Sequence, residues 1–345
     1  MIKDLLNKVV AGENLSETEA AGAMEQIMEG GATPAQIAGL LTALKLKGET
    51  IDEITGFARV MRSKATPVAS SHPMLVDTCG TGGDGSNTFN ISTAAALVLA
   101  GAGVKVAKHG NRSVSSRCGS ADVLEALGVN LELTPDEASV CLDRVGIAFL
   151  FAPLLHGAMK YAAAPRRELG FRTVFNILGP LTNPAGAQAQ VLGVYSPKLV
   201  RVLAEVLVRL GARRAFVVYG AGGLDEVSPV GPALVCEVCD GSVDEYELDP
   251  AVYGFTPVGA DRLAGGPPEE NAAIILKLLK GDKGPKYDAV VLNAALGLMA
   301  AGVANDFAVG VDLASRSIES GAALAKLEEM VRFTAGCREA RAAGL

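Results

Sequence analysis

Two polar loops between residues 77 and 120 carry the residue types that bind phosphate groups. The first is a glycine-rich run at residues 80–85, and further polar side chains follow it at residues 90–93, where an apolar, helix-like run begins. The second is a basic run at residues 108–116 that holds a lysine, an arginine and three serines. Loops that follow strands in an open α/β sheet meet at the carboxyl ends of the strands, where ligands bind. Backbone amides facing cations and hydroxyls predict a site for a phosphorylated, polyanionic small molecule.

The first loop also matches the dinucleotide-binding fingerprint, because it has glycines at positions 80, 82 and 85 between a strand-like and a helix-like run. A nicotinamide site would need an acidic residue at the end of the next strand to hold the ribose. That strand ends in Ala107-Lys108-His109, and Asp84 inside the loop would repel a pyrophosphate unless a cation or a sugar hydroxyl faced it. The dinucleotide interpretation is therefore disfavoured.

Three further motifs are ambiguous when each is taken alone. Asp225-Glu226 follows a glycine-rich turn and favours magnesium, which takes oxygen ligands, although an ordinary acidic turn has the same pattern. Arg166-Arg167 precedes a loop rich in glycine, proline and asparagine that could close over a site, and a surface basic pair is the alternative. Cys236-x-x-Cys239 has the spacing of half a zinc site, but no second pair exists, so both are interpreted as strand residues.

Composition narrows the class of protein. The chain has 345 residues, 49% of them hydrophobic, and a formal net charge of −7, which is unfavourable for general nucleic-acid binding. The longest apolar stretch without charge, residues 289–304, is too short for a membrane span, and the first residues do not have the pattern of a signal peptide. Six scattered cysteines do not form a disulfide framework. We therefore expect a cytoplasmic enzyme with no nucleic-acid and no membrane partner.

The order of elements predicts an α/β protein with a small all-helical N-terminal domain and a larger α/β domain around a mostly parallel central sheet. Capping boxes at Ser16 and Thr50 and the pair Thr33-Pro34 start three helices within residues 1–64. Residues 65–73 form a predicted linker, and strand-like and helix-like runs alternate within residues 74–345. The predicted strands include residues 75–76, 104–107, 147–151, 191–195, 216–219 and 289–292, with a hairpin at residues 234–248 and helices at residues 91–102, 121–127 and 196–211.

Taken together, these motifs resemble the anthranilate phosphoribosyltransferases. The similar segments are residues 36–50, 80–84, 90–93, 108–116, 119–128, 166–170, 176–185 and 223–226. The resemblance runs over nearly the whole chain, and the order and spacing of the motifs make coincidence improbable. It implies a helical domain, completed by helices near residues 166–185, that is joined to a catalytic α/β domain and pairs with a second copy in a homodimer.

The resemblance implies transfer of phosphoribose from phosphoribosyl pyrophosphate (PRPP) to the amine of anthranilate in tryptophan biosynthesis, with release of pyrophosphate. It implies two Mg²⁺ ions organised by Ser92, Asp225 and Glu226, and no residue is assigned as an obligatory acid or base. Anthranilate would contact Gly80, Asn111 and Arg166, with the arginine opposite its carboxylate. The residues implied to hold PRPP are Gly80, Gly83, Asp84, Thr88, Asn90, Ile91, Ser92, Thr93, Lys108, His109, Gly110, Asn111, Arg112, Ser113, Val114, Ser115, Ser116 and Ser120.

Two positions depart from the family pattern on the acceptor side. Ala164-Pro165 stands before Arg166 where the family usually has proline-valine, and Gly157 follows His156 where the family has proline. Two other functions stay open from the sequence: a pyrimidine nucleoside phosphorylase-like enzyme with the same fold, and a non-catalytic paralogue that binds nucleic acid. The loop at residues 108–116 disfavours the first alternative, and the net charge of −7 disfavours the second.

Overall fold

A mixed sheet organises the larger part of the chain. The computed structural model describes residues 2–113 and 117–343, and within these ranges seven strands form one sheet in the order β3-β2-β1-β4-β5-β6-β7. The strands β1 to β5 are parallel, whereas β6 and β7 are antiparallel. Their bounds are β1 (Val76–Gly80), β2 (Val106–Gly110), β3 (Ile147–Phe151), β4 (Ala189–Gly193), β5 (Arg214–Tyr219), β6 (Ala233–Cys239) and β7 (Ser242–Leu248).

Helices cover both faces of this sheet and form the N-terminal part of the chain. Their bounds are α1 (Ile2–Val10), α2 (Glu17–Met28), α3 (Pro34–Lys47), α4 (Ile51–Lys64), α5 (Ile91–Gly101), α6 (Ser120–Ala126), α7 (Pro135–Arg144), α8 (Ala152–Leu155), α9 (Lys160–Leu169), α10 (Phe175–Leu178), α11 (Lys198–Arg209), α12 (Pro268–Leu279), α13 (Pro285–Ala300), α14 (Phe307–Glu319) and α15 (Ala322–Ala342). The α/β fold class with a mostly parallel sheet is thereby confirmed. In the described part of the chain, no helix is long and apolar enough to cross a membrane.

The N-terminal helices begin where the capping residues predict. Ser16, Thr33 and Thr50 each accept a hydrogen bond from a backbone N–H three residues later, and each side chain at that third position bonds back to the cap. The apolar faces of α1 to α4 share one core with residues of α9 and α10, among them Ala162 and Phe175. The same core includes α11 and one face of β4 to β6, so the helical part packs directly on the sheet domain.

The predicted strand at residues 289–292 is wrong, because these residues lie inside α13. A short apolar run does not distinguish a buried strand from a helix that is apolar on every side. Pro285 occupies the start of this helix after Gly284, and every residue from Ala289 to Ala300 is buried. The decisive signal is therefore the proline at the helix start, together with an apolar length typical of a core helix.

The strand predicted at residues 104–107 also needs correction, because β2 runs from Val106 to Gly110. Its register with β3 pairs Lys108 with Phe149 and Gly110 with Phe151. Lys108, His109 and Gly110 are therefore strand residues rather than members of the second loop. Pairing with a neighbouring strand supplies backbone partners regardless of side-chain polarity, so polar residues at a strand end are easily assigned to the loop.

The hairpin at the sheet edge is confirmed. Asp240 and Gly241 connect β6 to β7, and both have positive φ angles, as two-residue hairpin turns require. Cys236 is buried and Cys239 is exposed, so the spacing of three residues places them on opposite faces of β6. Their interpretation as strand residues is therefore confirmed.

Candidate active site

The strand order reverses between β1 and β4, and Asp225-Glu226 lies across this point. In an open α/β sheet, ligands bind at such a reversal, outside the carboxyl ends of the strands. Gly80 and Gly193 end the two strands and are register partners. A methyl group on Gly80 would lie 2.2 Å from Asp225 Oδ2, and one on Gly193 would lie 1.5 Å from the Asp225 carbonyl oxygen. Only glycine at both strand ends admits the Asp225 backbone and side chain.

Asp84, Asp225 and Glu226 lie close to one another at this point. The Gly82 N–H donates to Asp225 Oδ2 at 2.9 Å, and Asp225 is only 8% exposed. Burial raises the pKa of Asp225, and the nearby charge of Asp84 raises it further. Burial also raises the pKa of Glu226, with additional contributions from Asp225 and Asp84. Asp84 and Glu226 each have one enclosed carboxylate oxygen without a hydrogen-bond partner, so the cluster is suited to a cation.

The chemistry of this cluster fits Mg²⁺ only with help from other ligands. Among residues 2–113 and 117–343, no group of three or more histidine, cysteine, aspartate or glutamate side chains is arranged to hold a metal ion by itself. Mg²⁺ is commonly bound through one or two carboxylates, several waters and substrate phosphates. Ser92, the third predicted ligand, starts α5 beside β1, since its carbonyl accepts from Thr78 Oγ1 at 2.9 Å.

The glycine-rich loop is anchored at both ends. At its start, the Thr81 N–H donates to the Gly193 carbonyl at 2.9 Å. Near its end, Thr88 pairs with Ala264 in an isolated β-bridge, and the Phe89 N–H donates to the Leu263 carbonyl at 3.1 Å. The intervening backbone passes in front of the strand ends, where its amides can approach a phosphate.

The start of α5 leaves donors available for an anion. Asn90 is the N-cap residue, but its side chain makes no cap hydrogen bond and instead donates to the Cys118 carbonyl at 3.1 Å. The first amides of the helix, including those of Ser92 and Thr93, therefore have no side-chain cap, and they lie at the positive end of the helix dipole. Thr93 Oγ1 is enclosed without a hydrogen-bond partner. Asn271, on α12, donates to Asn90 Oδ1 at 2.9 Å and holds this side chain in place.

Lys108 lies beneath the strand ends rather than in a solvated loop. It is 2% exposed, and its Nζ donates to the Thr78 carbonyl at 2.6 Å. Burial lowers the pKa of Lys108, while the nearby Asp77 and Glu226 act in the opposite direction. Asp77 is fully buried and accepts from the His109 N–H at 3.1 Å and from Asn183 Nδ2 at 2.8 Å. Lys108 therefore places its amino group under the acidic cluster.

The second loop is pinned by Asp122, a residue that the sequence interpretation missed. Asp122 Oδ2 accepts from the Ser113 N–H at 3.0 Å and from the Gly119 N–H at 2.8 Å, so it joins the two ends of the loop. Arg112 is ion-paired with Asp122 and Glu125, and its hydrogen bonds to Glu125 and Asp122 raise the pKa of the guanidinium. The predicted site residues Val114, Ser115 and Ser116 lie outside the described residues.

The remaining predicted residues of this loop lie at the end of β2. Ser120 Oγ donates to the Asn111 carbonyl at 3.3 Å, and the Ala121 N–H donates to the same oxygen at 3.2 Å. A methyl group on Gly110 would lie 2.3 Å from Ser120 Oγ. The end of β2 and the start of α6 are therefore in direct contact, next to the glycine-rich loop.

Two buried histidines lie below the second loop. The rings of His109 and His156 are 5.0 Å apart, and each has an Nε2 atom without a hydrogen-bond partner. Burial lowers the pKa of His109 to about 3, and the neighbouring His156 contributes to the shift. Burial also lowers the pKa of His156. Both imidazoles are therefore neutral at neutral pH and offer uncharged nitrogen atoms.

Arg166 projects from α9, which packs on the helical part of the chain. Its guanidinium lies over the Phe175 ring, 4.9 Å from the centroid, and burial lowers its pKa. No acidic side chain among the described residues is ion-paired with it, which leaves its donors available for an anion. No hydrogen bond in the described structure joins it to Gly80 or Asn111. Pro165 lies inside α9, and Gly157 starts a short 3-10 turn just before that helix.

Arg172 is a second arginine that the sequence interpretation did not place in the site. Its guanidinium lies over the Tyr195 ring, 4.8 Å from the centroid. A methyl group on Gly83 would lie 2.1 Å from two atoms of this guanidinium. Arg172 therefore covers the glycine-rich loop from the segment between α9 and α10, six residues after Arg166. The absence of a side chain at Gly83 leaves room for it.

Some of these missed residues had a signal in the sequence. Asp77 is a charged residue inside an apolar strand, and Asp122 has capping-box spacing after Gly119. By contrast, Asn271 lies far along the chain, in a helix without a distinguishing motif. A cavity of about 390 Å³ lies elsewhere, at the start of α13, and none of the predicted site residues lines it.

Comparisons with known proteins agree with this geometry. The glycosyl transferase family, a/b domain, matches residues 72–324, and the helical bundle domain of the same family matches residues 3–65. The anthranilate phosphoribosyltransferase of Pelotomaculum thermopropionicum is 67% identical over 342 residues, which cover 99% of this chain and 99% of the relative. That of Desulforamulus reducens is 63% identical and covers 97% of both chains. The chain belongs to the anthranilate phosphoribosyltransferase family.

Solved structures of this family have the same fold. The crystal structure of anthranilate phosphoribosyltransferase from Thermus thermophilus has a TM-score of 0.91 and 49% identity, covering 96% of this chain and 99% of that chain. The enzyme from Saccharomyces cerevisiae in complex with PRPP and Mg has a TM-score of 0.88 and 29% identity, covering 97% of this chain and 98% of that chain. The family expected from the sequence motifs is confirmed.

Proposed function

We propose that this chain transfers the phosphoribosyl group of PRPP to the amine of anthranilate, giving N-(5-phosphoribosyl)anthranilate and pyrophosphate. The observation that carries the proposal is the position of Asp225-Glu226 between Gly80 and Gly193, beside an anchored glycine-rich loop and the uncapped start of α5. This arrangement is suited to a magnesium complex of a diphosphate. The similarity to anthranilate phosphoribosyltransferases over nearly the whole chain supports anthranilate as the acceptor.

PRPP is held by the two loops that follow β1 and β2. The Gly83 amide and the amides of Ser92 and Thr93 face the phosphate oxygens, because no side chain caps these donors at the strand ends. Lys108 contributes positive charge from beneath the site. The predicted contacts of Thr88, Asn111 and Ser120 belong to the same proposal, since all three lie at the loop ends.

Mg²⁺ is held by Asp225 and Glu226, with Ser92 as a further oxygen ligand and two ions as the proposed number. When bound, it neutralises the diphosphate and the repelling carboxylates, which favours departure of the leaving group. The enclosed, unpartnered oxygens of Asp84 and Glu226 support a cation at this position.

The chain promotes the reaction mainly by orientation and by electrostatic stabilisation. Loss of pyrophosphate gives the sugar oxocarbenium character, and the leaving group gathers negative charge. Lys108 and the amides at the start of α5 stabilise that charge without reorganising, because the fold holds them in place. The anthranilate amine is already a neutral nucleophile, so its alignment matters more than a strong base. Burial lowers the pKa of His109 and of His156, so neither imidazole is an effective base, and no residue is assigned to accept the proton.

Arg166 holds the carboxylate of anthranilate from the opposite side of the site. Its side chain is partly buried, lies over Phe175 and has no acidic partner in the described structure, so a carboxylate would complete its hydrogen bonding. Because α9 packs on the helical part and the PRPP loops belong to the sheet domain, acceptor and donor approach from different parts of the fold.

A direct assay tests the proposal. Protein, Mg²⁺, PRPP and anthranilate are mixed, and loss of anthranilate fluorescence is followed; no loss would refute the proposed reaction. Replacing Asp225 and Glu226 together with alanine should reduce turnover sharply. Asp244 and Glu245 are a matched control, because they form another adjacent acidic pair that is exposed on the edge strand β7. Their double replacement should leave turnover unchanged, and full Mg²⁺-dependent activity in the first variant would refute the metal assignment.

We also propose that the protein is a cytoplasmic homodimer formed through its helical domain, residues 1–64. Val10 and Leu46 are apolar side chains on this part that are 67% and 84% exposed, and a second copy would cover them. Light scattering after size-exclusion chromatography should give twice the monomer mass, and Leu46→Lys should shift the protein toward the monomer. A wild-type monomer at micromolar concentration would contradict the assembly.

A further inference from the structure

Asn293 is a polar residue in the middle of the apolar helix α13. It is 3% exposed, and a buried amide is costly unless its polar atoms are hydrogen-bonded. Asn293 Oδ1 accepts from the Val227 N–H at 3.2 Å. Its Nδ2 donates to the Val227 carbonyl at 2.7 Å and to the Ala289 carbonyl at 2.8 Å. The side chain thus pairs with both backbone polar groups of Val227, as a neighbouring strand would.

Val227 directly follows Asp225-Glu226 and has no strand partner among the described residues. The strand β5 ends at Tyr219 and β6 begins at Ala233, so the carboxylate pair lies in the connection between them. Val227 is fully buried, and its backbone groups would be unsatisfied without an external partner. A single side chain on another element provides both hydrogen bonds.

The backbone that carries Asp225 and Glu226 must be fixed in place, because two adjacent carboxylate charges repel each other. Asp84 lies near both carboxylates, and its charge raises the pKa of Asp225 and of Glu226 in addition to the effect of burial. Upstream of the pair, the Gly220 N–H donates to the Leu224 carbonyl at 2.8 Å and closes the turn. Downstream of the pair, the hydrogen bonds from Asn293 join Val227 to α13. The pair is therefore held at both ends, and one carboxylate oxygen of Glu226 has no hydrogen-bond partner.

We propose that Asn293 is a positioning residue for the metal site: it holds the Val227 backbone so that Asp225 and Glu226 face the strand ends of β1 and β4. The inference rests on the proposed function, since it assumes that these two carboxylates bind Mg²⁺ together with PRPP. Asn293 is buried and its hydrogen bonds go to Val227 and Ala289, so this role does not require contact with the substrate. It acts through the backbone of the residue that follows the ligands, and supporting partners of metal ligands commonly change metal affinity by about 10- to 100-fold.

The test measures PRPP binding by isothermal titration calorimetry, once with Mg²⁺ and once with EDTA. The dissociation constant in EDTA divided by the dissociation constant in Mg²⁺ reports the metal-dependent part of PRPP affinity. Measuring this ratio does not require turnover. In Asn293→Ala we expect this ratio to fall at least about tenfold, while the dissociation constant in EDTA stays near the wild-type value. Activity should recover partly at high Mg²⁺ concentration.

A structural control separates positioning from general damage to α13. Leu298 is fully buried on the same helix and lies more than a quarter-turn away from Asn293 around the helix axis. Leu298→Ala therefore removes core packing but leaves the hydrogen bonds between Asn293 and Val227 in place. It should lower thermal stability and leave the ratio unchanged. If Asn293→Ala does not fold, Asn293→Ser keeps one hydrogen-bonding group for Val227 and should show an intermediate ratio.

The outcomes are distinguishable. An unchanged ratio in a folded Asn293 variant would overturn the inference while leaving the proposed function intact. An equal fall in Leu298→Ala would also overturn it, because the effect would then be structural. A wild-type protein that does not bind PRPP, or binds it equally well in EDTA, would refute the proposed function or its metal site and this inference with it.

Discussion

Replacing Gly193 with alanine tests the close approach on which the proposed metal site depends. The new methyl group would lie 1.5 Å from the carbonyl oxygen of Asp225 and 2.5 Å from its carbonyl carbon, whereas ordinary contact begins at 3.4 Å. Because β4 is paired with β1 on one side and β5 on the other, the backbone of Asp225 must retreat, by about 2 Å. Misplacing a catalytic group by about 1 Å costs about 10²-fold in rate. We therefore expect kcat/KM to fall by at least about 10²-fold, or about 2.7 kcal/mol of transition-state stabilisation.

The assay is anthranilate fluorescence at several concentrations of PRPP and Mg²⁺, with circular dichroism to verify the fold. Gly336→Ala is the matched control, because Gly336 lies in α15 and the added methyl group has no heavy atom within 4 Å apart from its chain neighbours and the adjacent backbone of its own helix. It should keep wild-type activity and gain up to about 1 kcal/mol of stability from helix propensity. If Gly193→Ala does not fold, Gly80→Ala meets only the end of the Asp225 side chain, at 2.2 Å from Oδ2, and should lose activity in a folded protein. Activity within about threefold of wild type in either folded variant would refute the reasoning.

Three further predictions concern charged and titratable side chains. Arg166→Met should raise the KM for anthranilate about tenfold or more and leave that for PRPP nearly unchanged, because it removes a charge-assisted hydrogen bond; equal changes in both would contradict the acceptor role. Arg172→Met should instead raise the KM for PRPP, since Arg172 covers the loop at Gly83, and an unchanged value would argue against that contact. Burial, with His156 nearby, lowers the pKa of His109 to about 3 in the folded protein, so unfolding takes up a proton below pH 6.5. The free energy of unfolding should therefore fall as the pH drops from 6.5 toward 3, by up to about 1.4 kcal/mol per unit. Urea unfolding at pH 7, 5 and 4 should show that the free energy of unfolding depends less on pH in His109→Gln than in the wild type. An equal pH dependence in the two proteins would contradict the lowered pKa of His109.

Local signals in the sequence predicted the elements that begin or end at characteristic capping and turn residues. The caps at Ser16, Thr33 and Thr50 place their helices correctly because a cap depends on residues only a few positions apart. The turn at Asp240-Gly241 is equally local, since its φ angles require those residue types. The errors occur where tertiary contacts determine the secondary structure. Residues 289–292 are buried on every side, so their sequence has no helical period of apolar residues. The strand β2 extends into polar residues because β3 pairs with it.

The glycine-rich loop, the basic loop and the acidic pair can be recognised from residue type alone, because phosphate and magnesium chemistry needs amides, cations and carboxylates in short runs. Their arrangement depends on long-range contacts that no local pattern contains. Only the tertiary structure brings Gly80 and Gly193 together as strand partners under Asp225, although these two glycines are more than a hundred residues apart. The same applies to Asn293, whose one side chain serves the backbone of Val227. The residue types thus specify which chemistry is available, and sheet pairing and helix packing decide which groups meet, because a folded chain sets distances through contacts that are remote in sequence.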